Sequence, residues 1–121
     1  MKVLVIDDED DIRRIARLSL AAVGGMEVCE ANSGSVAVRK AREEQPDVVL
    51  LDMMMPGMDG PATFRALRGD PETADIPVVF LTAKTMSAEM DRLKGLGASG
   101  VLVKPFDPMT LPRLLRELLD D

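Results

Sequence analysis

The sequence predicts an α/β fold, in which one doubly wound parallel sheet carries helices on both faces. Short runs rich in Val, Ile and Leu recur along the chain and are apolar throughout, which is typical of strands buried on both faces. Helical patterns lie between these runs, and such alternation produces parallel strands joined by right-handed crossovers. The five predicted strands are Lys2–Ile6, Met26–Glu30, Val48–Leu51, Ile76–Leu81 and Gly100–Val103.

Helices are predicted after the first and second strands. Apolar residues recur at three- and four-residue spacing from Ile12 to Val23, and the helix that they indicate ends at Gly24, since glycine often terminates helices. The second helix is predicted to begin after Gly34 and to end before Pro46, because proline cannot continue a helix.

The third and fourth helices are predicted from their end signals as well as their apolar spacing. Pro61 is expected in the first turn of the third helix, where its missing N–H costs nothing, and Gly69 at its end. The fourth helix carries Met90 and Leu93, and Ser87 is the predicted N-cap because its hydroxyl can accept a backbone hydrogen bond.

The fifth helix is predicted from leucines spaced along Leu111–Leu118. Asp107 is expected to be its N-cap and Pro108 its first residue. Pro112 conflicts with that start, because it would remove an early helical hydrogen bond. We therefore expect the helix to start late or to kink in its first turn.

The composition indicates one acidic domain with few aromatic residues. At 121 residues the chain has the length of a single domain, and we expect residues 1–121 to form it. It carries 15 Lys and Arg against 21 Asp and Glu, a net charge of −6, and only 2% aromatic residues. Direct nucleic-acid binding is disfavoured, since it needs a positive surface or aromatic stacking platforms.

The residue types that are rare or absent exclude further classes. The chain has no His, which excludes Ser-His-Asp and Cys-His catalysis and imidazole metal sites. Its single cysteine, Cys29, can form neither an internal disulfide nor a cysteine-rich zinc site. No apolar run approaches the ~18 residues of a membrane span, and no signal-peptide pattern is present. We therefore expect a cytoplasmic protein that does not contact the membrane.

Polar side chains stand at the ends of four predicted strands. These residues are Asp7 and Asp8, Asp52, Thr82, and Lys104. Sites in doubly wound sheets form beyond the carboxyl ends of the strands, so we expect these side chains to converge. Three neighbouring carboxylates repel one another, and an all-oxygen set favours Mg²⁺. A lysine and a hydroxyl beside them suit phosphate oxygens, which predicts a phosphoryl-transfer site with a carboxylate nucleophile.

In their order and spacing, these residues make the sequence resemble the receiver domain of two-component response regulators. The resemblance covers essentially the whole chain. It implies a flavodoxin-like (βα)5 fold with the strand order 2-1-3-4-5. The matching segments are Asp7-Asp8, residues 51–60 around Asp52, Thr82-Ala83 and Lys104-Pro105-Phe106.

The resemblance implies a phosphorylation-dependent switch rather than an enzyme, although the domain would assist its own phosphorylation and dephosphorylation. Asp52 would accept a phosphoryl group from the phospho-histidine of a sensor histidine kinase or a histidine phosphotransfer protein. Asp8, Asp52 and the backbone carbonyl of Met54 would bind Mg²⁺ directly, and Asp7 would act mainly through a metal-bound water. Phosphorylation would change the face formed by the fourth helix, fifth strand and fifth helix, and so regulate a downstream protein partner.

The resemblance implies further roles around the phosphoryl group. Lys104 and Thr82 would contact it, and the small side chain of Ala83 would leave room for it. The peptide bond between Lys104 and Pro105 would be cis, although cis bonds are a minority even before proline. Lys84 occupies a position that modulates dephosphorylation in the family.

Val101 departs from the family pattern. Family members commonly carry Tyr or Phe three residues before the lysine, and rotation of that ring accompanies the movement of the threonine. Valine has no ring to move between buried and exposed positions. We therefore expect the movement of Thr82 to be uncoupled from an aromatic switch, or to be transmitted by backbone shifts alone.

Two other functions compete with a phosphoacceptor switch. A haloacid-dehalogenase-type enzyme also forms an aspartyl intermediate, but it needs a second Asp two residues after the nucleophile, where this sequence has Met54. The other alternative is a phosphorylation-independent, receiver-like docking module. The intact set of site residues argues against it, whereas Val101 leaves it open.

Overall fold

The structure is a computed structural model that describes residues 1–83 and 87–120. Strands and α-helices alternate along the chain, which confirms the predicted α/β fold. The strands are β1 Lys2–Ile6, β2 Glu27–Ala31, β3 Val48–Asp52, β4 Val78–Ala83 and β5 Gly100–Lys104. The helices are α1 Asp10–Leu18, α2 Gly34–Glu44, α3 Gly60–Gly69, α4 Ser87–Gly95 and α5 Leu111–Asp120.

The strands form one parallel sheet in the order β2-β1-β3-β4-β5. This is the flavodoxin-like order that the resemblance implied. The chain moves outward from β1 to β2 and then crosses to β3 on the other side of β1, so the strand order reverses between β1 and β3. The carboxyl ends of strands beside such a reversal are where doubly wound sheets form their ligand sites.

Each face of the sheet has its own hydrophobic core. Along β1, Leu4 and Ile6 pack into a core with α2, α3 and α4, whereas Val3 and Val5 pack into a core with α1 and α5. Every residue of β3 is buried. Burial on both faces explains why the strand sequences are apolar throughout rather than alternating.

Four strands, β2 to β5, extend further toward their carboxyl ends than the apolar runs predicted, and three of them thereby include a predicted site residue. Asp52 belongs to β3, Thr82 to β4 and Lys104 to β5, whereas the sequence placed each of them just after a strand. Main-chain pairing continues regardless of side-chain polarity, and the Met53 amide still donates to the Leu81 carbonyl at 2.9 Å. The sheet itself, rather than loops, therefore positions these three side chains.

The first helix differs from its prediction. α1 ends at Leu18, and Ser19–Val23 forms a π-helical turn before Gly24. A β-carbon on Gly24 would lie 2.7 Å from the Cβ atom of Pro112, so the turn delivers the Gly24 backbone directly against α5. This is a tertiary contact, and the helical periodicity of the sequence cannot reveal it.

The fifth helix begins at Leu111, so the late start is the one of the two outcomes expected from Pro112 that occurs, and the predicted start at Pro108 is wrong. The Met109 amide donates to the carboxylate of Asp107 at 2.9 Å, and a turn precedes the helix. Pro112 is therefore the second residue of α5, where its missing N–H would have had no partner within the helix. α4 begins at Ser87, but the cap predicted for the Ser87 side chain lies outside the described residues.

Candidate functional site

Acidic and basic side chains meet at the carboxyl edge of the sheet. Asp7 follows β1, Asp52 ends β3 and Lys104 ends β5, so the lysine must reach past β4. Its Nζ atom lies 3.0 Å from Asp7 Oδ2 and 2.9 Å from Asp52 Oδ1. The structure therefore brings together residues that the strand ends singled out.

Three carboxylates crowd this edge. Asp7, Asp8 and Asp52 each offer an oxygen, and these oxygens lie within 4.8 Å of one another. Asp7 and Asp52 are buried, whereas Asp8 is exposed. Buried carboxylates at this spacing repel one another, and a hard divalent cation with oxygen ligands relieves the repulsion. The acidic cluster thus fits the Mg²⁺ that the sequence predicted.

Asp7 is held by backbone and side-chain donors. The Glu9 amide donates to Asp7 Oδ1 at 2.9 Å, and the Asp7 amide donates to the Ala31 carbonyl at 3.2 Å. Arg13 Nη1 donates to the Asp7 carbonyl at 2.7 Å. Sequence reasoning missed Arg13, because an arginine near the start of an amphipathic helix carries no signal until the fold shows what it reaches.

The charges at this edge shift the pKa values of two groups. Burial raises the pKa of the Asp52 carboxyl above its ordinary value; the hydrogen bond from Lys104 opposes this shift, and the nearby Asp7 charge adds to it. Burial also disfavours the charged form of Lys104, but its hydrogen bonds to Asp52 and Asp7 outweigh burial and raise the pKa of Lys104. The lysine therefore stays charged and offsets part of the acidic cluster.

The loop after β3 is packed closely against Asp52. A β-carbon on Gly60 would lie 2.6 Å from the Asp52 carbonyl oxygen, so glycine lets α3 begin directly beside the end of β3. The Met54 amide donates to Asp52 Oδ1 at 3.4 Å, and the Met54 side chain is exposed. The role of the Met54 carbonyl as a Mg²⁺ ligand stays a prediction.

Thr82 and the neighbours of Lys104 complete the predicted set. Thr82 is buried on β4, and its hydroxyl donates to the Ala83 carbonyl at 3.3 Å. Among residues 1–83 and 87–120, this hydroxyl makes no hydrogen bond to Asp52 or Lys104. The peptide bond between Lys104 and Pro105 is cis, as the resemblance implied. Lys84 lies outside the described residues.

Val101 lies on β5, three residues before Lys104. It pairs with Phe80 of β4 and is half-buried against the core shared by α2, α3 and α4. A valine at this place fills space beside the sheet and has no ring that could rotate outward. The departure from the family pattern is thus located in a packed position of the fold.

This fold and site define a flavodoxin-like domain with an acidic cluster and a lysine at the carboxyl edge of its sheet. A family model described as response regulator receiver domain matches residues 3–116. The solved chemotaxis protein CheY4 of Vibrio cholerae is similar, with a TM-score of 0.88, 36% identity and coverage of 97% of each chain. The chain belongs to the receiver domain family of two-component response regulators.

Curated relatives are similar over nearly the whole chain. The "Response regulator PleD" of Caulobacter vibrioides is 42% identical over 119 residues, covering 97% of this chain and 26% of that protein. The "Probable transcriptional regulator ycf27" of Pyropia yezoensis is 41% identical over 120 residues, covering 98% of this chain and 47% of that protein. This chain therefore spans about half of the second relative and about a quarter of the first.

Membership in the family implies phosphorylation-based signalling, in which receiver domains are regulatory and not classical enzymes. It also implies interaction with a histidine kinase or phosphotransfer partner. In the part of the chain that the structure describes, no helix has both the length and the apolar character to cross a membrane.

Proposed function

We propose that this domain is a signalling switch that accepts a phosphoryl group on Asp52 from a phospho-histidine of a sensor histidine kinase or histidine phosphotransfer protein. One observation carries the proposal. Lys104 Nζ lies within hydrogen-bonding distance of both Asp52, at 2.9 Å, and Asp7, at 3.0 Å. A fixed cation thus stands beside a buried carboxylate at the carboxyl edge, where negative phosphoryl oxygens would have to be accommodated.

Asp52 supplies the nucleophile. One carboxylate oxygen attacks the phosphorus, a P–O bond forms, and the P–N bond to the donor imidazole breaks, with its electron pair remaining on that nitrogen. Phosphoryl transfer demands positioning and charge stabilisation more than covalent chemistry from the protein. The Lys104 ammonium stabilises negative phosphoryl oxygens, and the Thr82 hydroxyl donates a hydrogen bond to another oxygen.

The acidic cluster would hold Mg²⁺ through Asp8, Asp52 and the Met54 carbonyl, with Asp7 acting mainly through a metal-bound water. When bound, Mg²⁺ offsets the carboxylate charge and the charge of the phosphoryl oxygens. The protein's own contribution is to keep Asp7 in place. The Glu9 amide and the Lys104 ammonium each occupy one oxygen of that carboxylate.

The response to phosphorylation would begin at Thr82. Its hydroxyl would leave the Ala83 carbonyl for a phosphoryl oxygen, and Ala83 ends the strand that leads to α4. Movement there would change the face formed by α4, β5 and α5 and so regulate a downstream protein partner. Leu96, exposed just after α4, provides apolar surface on that side of the domain.

The experiment is incubation with acetyl phosphate and Mg²⁺, followed by intact-mass measurement. We expect one phosphoryl adduct on the wild-type domain and none on Asp52→Asn. Asp59→Asn is the matched control, because Asp59 is an aspartate of the same loop whose carboxylate caps α3, and asparagine can also cap. Absence of an adduct from small donors and from phospho-histidine proteins would favour the phosphorylation-independent docking module.

A further inference from the structure

Arg13 makes several contacts beneath the acidic cluster. It lies in α1, and its side chain is 14% exposed. Nη1 donates to the Asp7 carbonyl at 2.7 Å, and Nε donates to Glu30 Oε1 at 3.2 Å. Nη2 donates to the Asp10 carboxylate. One planar guanidinium thus connects the end of β1 to β2 and to the first turn of α1.

The carbonyl that Arg13 contacts belongs to the peptide group joining Asp7 to Asp8. A hydrogen bond to this oxygen restrains the plane of that peptide group, and the same plane sets the direction in which residue 8 leaves the strand. Within residues 1–83 and 87–120, no group donates a hydrogen bond to the Asp8 carboxylate. The placement of the Asp8 side chain therefore depends on the backbone before it.

Glu30 on β2 anchors the guanidinium from the far side. Its Oε1 accepts from Arg13, and its Oε2 accepts from Arg17 Nε. Both arginines thus belong to one ion-pair network around Glu30. Only Arg13 also reaches the backbone of the acidic cluster.

We propose that Arg13 is a positioning residue for the predicted Mg²⁺ site, which it serves by fixing the peptide group between Asp7 and Asp8. The inference rests on the proposed function, since it concerns the carboxylates that would hold the cation there. Mg²⁺ requires near-ideal octahedral geometry, so the Asp8 carboxylate binds it less well when the backbone at Asp8 is not restrained. Outer partners that orient metal ligands typically contribute ~10–100-fold to metal affinity.

The test is Mg²⁺ titration of the wild-type domain and Arg13→Gln, measured by isothermal titration calorimetry at constant ionic strength. We expect Arg13→Gln to bind Mg²⁺ about 10-fold more weakly. On charge alone, losing a cation near the acidic cluster would strengthen Mg²⁺ binding. A loss of affinity is therefore opposite in sign to the charge effect.

Arg17→Gln is the control matched in charge, because it also removes one Glu30 ion pair but leaves the bond to the Asp7 carbonyl. We expect its Mg²⁺ affinity to equal or slightly exceed that of the wild type. In ¹⁵N NMR spectra without Mg²⁺, we expect the Asp8 amide signal to shift or broaden in Arg13→Gln and to stay unchanged in Arg17→Gln.

The outcomes separate this inference from the proposed function. A wild-type domain without measurable Mg²⁺ binding contradicts the proposed function, whereas equal affinities of wild type and Arg13→Gln contradict only the role of Arg13. Equal losses in Arg13→Gln and Arg17→Gln also overturn it. If Arg13→Gln does not fold, Arg13→Lys decides: its ammonium cannot reproduce the guanidinium fork, so we expect about threefold weaker binding. Wild-type affinity in a folded Arg13→Lys would reject the positioning role.

Discussion

Two lysines at opposite ends of the sheet each bridge two acids, and of these two, Lys104 lies at the candidate site. At the amino end, Lys2 Nζ is 2.9 Å from Glu44 Oε1 and 3.5 Å from Glu27 Oε2. At the carboxyl end, Lys104 is held at similar distances from its two acids. The lysine side chains are about equally accessible, 26% exposed for Lys2 and 21% for Lys104.

The acids make the difference between the two ends. The side chains of Glu27 and Glu44 are 72% and 32% exposed, whereas those of Asp7 and Asp52 are 0% and 6% exposed. Water reaches both glutamates and screens their pairs with Lys2, so these pairs contribute little beyond local order. One lysine cannot neutralise two buried carboxylates, and the remaining negative charge favours a bound cation. The burial of its two acids therefore distinguishes the ion pair at the candidate site from the one at the amino end.

The two ends also respond to protons in opposite ways. The hydrogen bond from Lys2 lowers the pKa of Glu44, and the charge of Lys2 lowers it further. At the other end, burial raises the pKa of Asp52 although Lys104 opposes the shift. A lysine favours the charged carboxylate at both ends, but at Asp52 the cost of burying the charge outweighs the effect of Lys104.

The largest expected effect is on Mg²⁺ affinity, which should depend on the acids at the carboxyl end and not on those at the amino end. Asp8→Asn removes one predicted ligand, so Mg²⁺ affinity should fall by about 100-fold or more, since even outer partners contribute ~10–100-fold. Calorimetric titration measures it. Glu44→Gln, at the amino end, should bind Mg²⁺ like the wild type. Equal affinities for Asp8→Asn and the wild type would show that Mg²⁺ binds elsewhere than at the acidic cluster.

The next effect concerns stability without Mg²⁺. Lys104→Met leaves the buried acceptors of Asp7 and Asp52 without their donor, and we expect the free energy of unfolding at pH 7 to fall by about 2 kcal/mol. Lys2→Met should change it much less, because Glu27 is exposed and Glu44 is only half-buried. Urea denaturation followed by circular dichroism measures both. Similar losses of stability in Lys104→Met and Lys2→Met would contradict the view that burial of the acids makes the two ends energetically different.

A smaller effect appears in the pH dependence of unfolding without Mg²⁺. Because the pKa of Asp52 is raised on folding, the folded state binds more protons between the two pKa values, and stability falls as pH rises through that window. Asp52→Asn should therefore match the wild type at pH below the ordinary aspartate range and become the more stable protein above the raised pKa.

Glu44→Gln should show the opposite sign. The pKa of Glu44 is lowered on folding, so its stabilisation is present above the ordinary glutamate pKa and is lost as pH falls through the folded-state pKa. The variant should be less stable than the wild type near neutrality and equal to it in strong acid. Denaturation curves across the pH range check both signs, and parallel profiles for the two variants would contradict them.

The smallest expected effect is at Val101, which we expect to stay in place when the site is occupied by a phosphoryl mimic. Val101 lies on β5 between the two ends and packs beside Phe80. With beryllofluoride as the phosphoryl mimic, we expect Thr82 to move while Val101 keeps its packing. Crystal structures with and without the mimic measure this. A large rearrangement of Val101 together with α4 would contradict this prediction, because it would couple β5 to the movement of Thr82 without an aromatic ring.

Much of the fold was predictable because its signals are local. Continuous apolar runs indicate strands buried on both faces, and Pro112 indicated that α5 starts late or kinks in its first turn, of which the late start occurs. The predicted strand ends were wrong where main-chain pairing continues beyond the last apolar side chain. Asp52 and Lys104 belong to strands for this reason. The local signals also failed at Ser19–Val23, whose π-helical turn is coupled to the packing of Gly24 against α5.

The sequence by itself determined the alternation of strands and helices, the acids and the lysine at the strand ends, and the family that they resemble. Only the tertiary structure decided which of those side chains touch. Lys104 meets Asp7 across 97 positions of the chain and Asp52 across 52. The bond from Arg13 to the Asp7 carbonyl likewise needed the folded turn after β1. Such contacts depend on strand order, register and burial together, and no local pattern of residues encodes these distances.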